Sequence, residues 1–141
     1  MREDEARNRV ASARVARLAT VQRSGRPHLV PITFALVDDT LYTALDAKPK
    51  RSRDLRRLRN IEGNPEVAVL VDEYHDDWSR LWWCRLDGRA RVVSDGERFE
   101  IGLQRLAEKY RQYRDDPPAG PVIVVDVTAV SGWSAAIEGR G

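Results

Sequence analysis

The 141-residue chain has a single cysteine, Cys84, and only two histidines, His28 and His75. No internal disulfide can form, and a Cys/His zinc site has too few ligands. Nothing therefore staples the fold, and a chain this long with 42% hydrophobic residues is able to bury a core of its own. The one cysteine fits a reducing compartment, and the opening "MREDEARNRVASARVARL" lacks the apolar run of an export signal. No stretch approaches the about eighteen apolar residues of a membrane span, so the expectation is a cytoplasmic protein with no membrane partner. Repeats, linkers and low-complexity tracts are absent as well, which makes residues 1–141 one domain.

Catalytic signatures are equally scarce. None of Ser24, Ser52, Ser79, Ser94, Ser131 and Ser134 sits in a nucleophile elbow, and the two histidines stand alone. Cys84 lies within "LWWCRL", where a buried strand thiol is expected. Asp76 and Asp77 have no further ligands nearby and read as a turn, so no metal site is expected. If the chain is an enzyme, a bound cofactor carries the chemistry and the protein positions it.

What the sequence does have is charge in one place. Between Lys48 and Arg59 there are seven cations (Lys48, Lys50, Arg51, Arg53, Arg56, Arg57, Arg59) against Asp54, a local balance of +6 in a chain whose net charge is +2. The rest of the chain is therefore net acidic. Ser52 is a candidate N-cap, with Leu55, Leu58 and Ile61 at helical spacing behind it, which puts Lys48, Lys50 and Arg51 just before a helix N-terminus. Free N–H groups, the helix dipole and neighbouring cations make a phosphate site. The other reading of the same residues is a solvated basic helix face. Nucleic acid fits worse, because no aromatic residue interleaves with the cations to stack on bases.

Around this segment the pattern is mostly that of strands. "EDEARNRVASA" (3–13) reads as an opening helix with acids in its first turn. "VARLATVQ" and "HLVPITFALVDD" flank a Ser24-Gly25 turn, and "TLYTALD" follows, so the first three strands form an antiparallel meander. In the second strand Val30, Ile32, Phe34 and Leu36 alternate on a core face, while Leu29, Pro31, Thr33 and Ala35 suit either solvent or a planar ligand. "VAVLVDEY" is nearly continuous in hydrophobicity, as expected of a strand buried on both faces. "WSRLWWCRLDGRARVVSD" is a strand pair or one bent strand around Asp87-Gly88, "GERFEIGLQRLAEKYRQY" is an amphipathic helix with Ile101, Leu103, Leu106 and Tyr110 inward, and "VIVVDVTAVSGWSA" closes the chain. About six strands with three helices indicate a β-barrel flanked by helices. Trp82 and Trp83 must face opposite sides of their strand, so the outer one needs a cover, either a second subunit or a flat ligand, unless both pack under the C-terminal helix. Trp78, beside Asp77 at the strand entrance, is the better ligand candidate.

The succession "ARLATVQRSGRPHLVPITFAL", "LYTALD", "KPKRSRDLRRLRNIEGNPEVAVLVD" and "DDWSRLWWCRLDGRARV" resembles the split-barrel flavin and deazaflavin oxidoreductases, the pyridoxamine 5'-phosphate oxidase-like superfamily, and within it the actinobacterial group that uses coenzyme F420. The resemblance covers residues 10–133, with the basic segment and the strand after it as its most specific part. It implies a six-stranded antiparallel split β-barrel, mainly β with flanking α-helices, that pairs as a homodimer with cofactors in grooves at the subunit interface. It further implies that Lys48, Lys50, Arg51, Ser52 and Arg53 line the cofactor phosphate. Pro31, Ile32, Thr33, Tyr42 and Thr43 would lie along the ring, and Trp78 would approach from its own or the partner subunit. The activity implied is hydride transfer between F420 and an unsaturated small-molecule substrate, with no catalytic side chain singled out. FMN in the same barrel and a non-catalytic cofactor-binding or storage protein are the alternatives. Vitamin B6 oxidases end in a segment whose tryptophan and arginine bind the substrate, and in "SGWSAAIEGRG" Trp133 alone is a poor stand-in for it.

Overall fold

A computed structural model describes residues 1–45 and 56–138. The elements in order are α1 (Glu3–Ser12), β1 (Ala16–Val21), β2 (Pro27–Ile32), β3 (Ala35–Val37), β4 (Thr40–Ala44), α2 (Arg56–Gly63), β5 (Glu66–Glu73), β6 (Trp82–Val93), α3 (Glu97–Lys109), α4 (Arg111–Asp115), β7 (Val122–Ser134) and α5 (Ala135–Glu138), with a 3-10 turn at Trp78–Arg80 between β5 and β6. The strands form one antiparallel sheet in the order β2-β1-β5-β6-β7-β4-β3. Its two edge strands, β2 and β3, are consecutive in the chain. The sheet therefore curls until one bent segment serves as both edges, giving a split barrel. Seven strands replace the expected six because the second expected strand bends at Thr33-Phe34 and is shared between two ladders. The meander is corrected in the same way: β2 pairs with β1, while β3 pairs with β4.

The predicted alternation survives the bend. Val30, Ile32, Phe34 and Leu36 all contribute to the barrel core with Leu18, Leu41, Val69, Leu86 and Ile123. Each fully buried aliphatic or aromatic side chain there is worth about 1.5–3 kcal/mol. β6 is one bent strand, with a register shift between Asp87 and Gly88. A Cβ on Gly88 would lie 2.5 Å from the Asp126 carbonyl oxygen, so close backbone approach dictates the glycine.

Burial on both faces belongs to β7 and not to β5. In β7, Ile123 and Val125 enter the barrel while Val122 and Val124 pack under α3 with Tyr42, Phe99 and Leu103. In β5 only Val67, Val69 and Val71 are buried; Ala68 is half-buried and Leu70 is exposed. The two strands carry similar apolar runs, and what separates them is the helix laid over one of them. That helix stops sooner than its amphipathic pattern predicts. Ile101 and Leu103 are only half-buried, Leu106 and Tyr110 are buried, and Tyr110 has extended backbone angles that separate α3 from α4. Five α-helices thus stand among the described residues where three were expected. Among the described residues no helix is long and apolar enough to cross a membrane.

The break at Tyr110 serves the bend at Thr33-Phe34. The β1–β2 ladder ends at Ala16 with Ile32 and the β3–β4 ladder starts at Ala35 with Tyr42, so the backbone groups in between have no strand partner. Side-chain hydroxyls take that place. Phe34 N–H donates to the Tyr110 hydroxyl (3.2 Å), which itself donates to the Arg14 carbonyl (2.9 Å), with the Phe34 carbonyl at 3.2 Å. Thr43 donates to the Thr33 carbonyl (2.7 Å), and the Thr33 and Tyr113 hydroxyls meet at 2.8 Å. Over the bend lies Lys109, whose ammonium sits 3.8 Å from the Phe34 ring centroid with no hydrogen-bond partner among the described residues. The ring face favours the cation. Burial outweighs it and, with the nearby Arg14 charge, brings Lys109 down to about 8.

Tyr110→Phe removes the group that satisfies both Phe34 N–H and the Arg14 carbonyl, and is expected to cost about 1–3 kcal/mol of stability by urea unfolding. An unchanged urea midpoint would show that the bend holds without the hydroxyl. Lys109→Met should raise the melting temperature at pH 7. Because the unfolded lysine keeps its proton up to about 10.5 and the folded one releases it near 8, wild-type stability should rise relative to that variant as pH goes from 8 to 10.5. Parallel melting curves across that range would count against the buried cation.

Candidate functional site: an arginine-lined groove and the outer face of the barrel

α2 closes one end of the barrel. Leu58 and Ile61 pack into the core as their spacing predicts, and buried Asn60 donates from Nδ2 to Thr20 Oγ1 (3.0 Å), fixing the helix to β1. Against this helix lies the β1–β2 turn, and between them is a groove of about 520 Å³ lined by Gln22, Arg26, Pro27, His28, Leu29, Arg56 and Arg59. Three arginines, with no carboxylate among the described lining residues, make this lining strongly cationic. A second cavity of about 650 Å³ shares Gln22 and Arg59 and adds Arg23, Asn60 and Glu62. Arg56 and Arg59, which the basic helix would be expected to show to water, thus wall a groove while remaining exposed. His28 is half-buried, its Nδ1 has no hydrogen-bond partner among the described residues, and its pKa is depressed by burial and by the charges of Arg56 and Arg57.

The expected phosphate residues Lys48, Lys50, Arg51, Ser52 and Arg53 lie outside the described residues. Of the expected ring residues, Pro31 is exposed on the outer face of β2 and Thr33 is half-buried at the bend. Ile32 faces the barrel core, and Thr43 is buried with its hydroxyl on the Thr33 carbonyl. Tyr42 is 1% exposed under α3, and its hydroxyl accepts from Arg98 Nη1 (2.8 Å). The side chains brought to the surface of this strand are therefore Leu29, Pro31 and, in part, Thr33, while Ile32 and Thr43 face the barrel interior and Tyr42 packs under α3.

Trp78 is 68% exposed in the 3-10 turn, with its Nε1 donating to the Tyr74 hydroxyl at 3.4 Å. Asp77 caps that turn by accepting from the Ser79 N–H (3.1 Å) and hydroxyl (2.7 Å), and these bonds lower its pKa. In the sheet β1 separates β5, which leads into this turn, from β2. The Asp76-Asp77 turn is as expected, and no group of three metal-ligating side chains occurs among the described residues. His75 is paired with Glu73. Trp82 turns inward beneath α1, where Arg9 lies 5.1 Å from its ring centroid, so its cover is the N-terminal helix and not the C-terminal one. Trp83 faces outward. With Leu29 and Leu70 it leaves an apolar outer face on the β2-β1-β5-β6 part of the sheet, interrupted by Arg17 and Arg85.

Arg26 and His28 are the groove residues that sequence reasoning missed. The signal for Arg26 was present in "RSGRPH", a turn carrying cations on both sides. His28 gave none, since its weight comes from α2 lying over it.

A barrel closed on a bent strand, with a basic helix across its mouth, defines the split-barrel class. The family model for pyridoxamine 5'-phosphate oxidase matches residues 3–134, and the chain belongs to that family. No curated protein matches it. Among solved structures, a conserved hypothetical protein of Mycobacterium tuberculosis is 22% identical with a TM-score of 0.75, over 99% of this chain and 88% of that one. An FAD-binding protein of Mesorhizobium loti is 22% identical with a TM-score of 0.69, over 94% of both chains. The haem storage protein of Vibrio cholerae is 19% identical with a TM-score of 0.69, over 95% of both chains. At these identities the likeness is one of fold.

Proposed function

We propose that this chain is a cytoplasmic, homodimeric oxidoreductase that uses coenzyme F420 to transfer a hydride to or from an unsaturated small molecule. The observation that carries the reading is the groove of Arg26, Arg56 and Arg59 beside β2, with no carboxylate among its described lining residues. A phosphate-bearing group fits it. Arginine forks match phosphate oxygens, and a groove with no carboxylate has no internal counter-ion to displace. Two residues along β2 from Leu29, about 7 Å beyond the groove, stands the exposed Pro31, followed by the bend. The chain's own residues would thus hold the anion at α2 and rest the ring on Pro31 and Thr33. Bound there, the deazaflavin supplies the hydride. The preference for F420 over FMN rests on the adjoining cavity, where Arg23 and Arg59 extend the cationic wall. FMN ends in one phosphate, whereas F420 carries carboxylates beyond its phosphodiester and can use both cavities.

A flavin nucleotide is the second reading, favoured by the FAD-binding protein with the same fold. The haem storage protein raises a non-catalytic reading. Haem binding has little support in the side chains here, since His28 sits against arginines and His75 against Glu73. The homodimer rests on the outer face, where Leu29 is 66%, Leu70 38% and Trp83 36% exposed. A patch of this kind on a small barrel calls for a cover.

Fluorescence titration of F420 and FMN side by side should show tighter binding of F420. Arg59→Ala, which touches both cavities, is expected to weaken F420 by about 1.5–3 kcal/mol and FMN by less. Equal losses for the two ligands would remove the reason to prefer F420, and binding of neither would sink the cofactor assignment. For assembly, sedimentation should show a dimer at micromolar concentration that Trp83→Glu weakens. A wild-type monomer would leave the outer face without its proposed partner.

A further inference from the structure

His28 is a half-buried titratable group whose Nδ1 has no hydrogen-bond partner among the described residues. Among the described residues that line its groove, the charged ones are all cationic. The described charged groups around it are Arg26 from its own turn, and Arg56, Arg57 and Arg59 from α2. Across the ladder stands neutral Thr20, and Glu62 lines the adjoining cavity. A structural histidine in a barrel mouth is ordinarily satisfied by a backbone or side-chain partner. This one has instead been given cationic neighbours that oppose its protonation.

We propose that the groove binds a phosphate-class anion together with a proton on His28, so that the imidazolium joins the arginines as part of the anion site. The inference rests on the cofactor reading only for the identity of the ligand that brings the phosphate. Its physical basis is reciprocal. In the empty groove the arginine charges and burial keep the imidazole neutral. An anion offsets part of the arginine field, and one of its oxygens gives the added N–H an acceptor. If the anion favours the protonated ring, protonation must favour the anion by the same factor. Binding is then tighter in acid and takes up a proton.

The test uses inorganic sulfate, a phosphate surrogate whose own charge is constant between pH 5 and 8, and proton NMR of the histidine C2–H. With two histidines in the chain, His75→Gln assigns both signals. Sulfate should raise the midpoint of the His28 titration by about one unit, and sulfate should bind about tenfold tighter at pH 5 than at pH 8. His28→Gln should keep the binding seen at pH 8 and lose the gain in acid. The same titration with F420 separates the two claims. If sulfate moves His28 but F420 does not bind, the anion site stands and the cofactor reading falls. If F420 binds while neither ligand moves the His28 midpoint, the cofactor reading stands and the proton-linked site is overturned. No response to sulfate, or an equal acid gain in His28→Gln, also overturns it.

Discussion

The closure of this barrel depends on satisfying a few backbone polar groups at Thr33 and Phe34. A strand that leaves one ladder to join another passes through a gap where its N–H and C=O groups have no partner. Leaving them bare inside a protein costs about as much as a lost hydrogen bond for each. The chain fills the gap from elements far away in sequence: Thr43 from the next strand, Tyr110 from the end of α3, and Tyr113 from α4. For Tyr110 to reach, α3 must end there, and for α3 to pack on Tyr42 and Val122, its face needs Gly102, where a Cβ would come within 3.0 Å of both side chains. Bend, helix break and helix packing are one solution to one problem.

That solution divides the outer surface of the barrel into two unequal parts. Around β4 and β7 the helix α3 covers the sheet and takes Tyr42 and Val124 out of solvent. Around β2, β1 and β5 nothing among the described residues does so, and Leu29, Pro31 and Leu70 stay open beside Trp83. The strand that carries Pro31 runs in one direction to the arginine groove and in the other to the bend, which fixes its path. A rigid, apolar strand ending at a cationic groove is suited to a ligand with a flat body and an anionic tail, whichever ring that ligand carries.

Much of this was legible in the residues. Alternation of Val30, Ile32, Phe34 and Leu36 gave the core face through a bend it did not reveal, because a side-chain period of two continues across a break in hydrogen bonding. The helical spacing of Leu58 and Ile61 likewise named the buried side of α2. The apolar runs of β5 and β7 misled, since a run of valines does not tell whether its second face meets a helix or solvent. Tyr42 and Thr43 read as neighbours along a possible ring, yet adjacent strand residues point to opposite sides, one under α3 and one into the barrel. Tyr110 looked like the last residue of a helical stripe, and its hydroxyl, invisible to a hydropathy pattern, is what ended the helix. His28 stood alone in the sequence and acquires its chemistry only from α2 folding over it.

The groove and the fold are coupled through that helix. α2 is held to the barrel by Asn60 on Thr20 and by Leu58 and Ile61 in the core, while its exposed side brings Arg56 and Arg59 against Arg26 and, further on, Arg23. Packing therefore holds like charges together that would separate in the unfolded chain, and their repulsion works against the docking of α2. An anion bound in the groove would offset that repulsion, and any such ligand would stabilise the folded state by RT ln(1 + [L]/Kd). The helix that seals the barrel would thereby also be the element whose seating the ligand reinforces, and a mutation that loosens Asn60 or Ile61 should be felt in the groove as well as in the core.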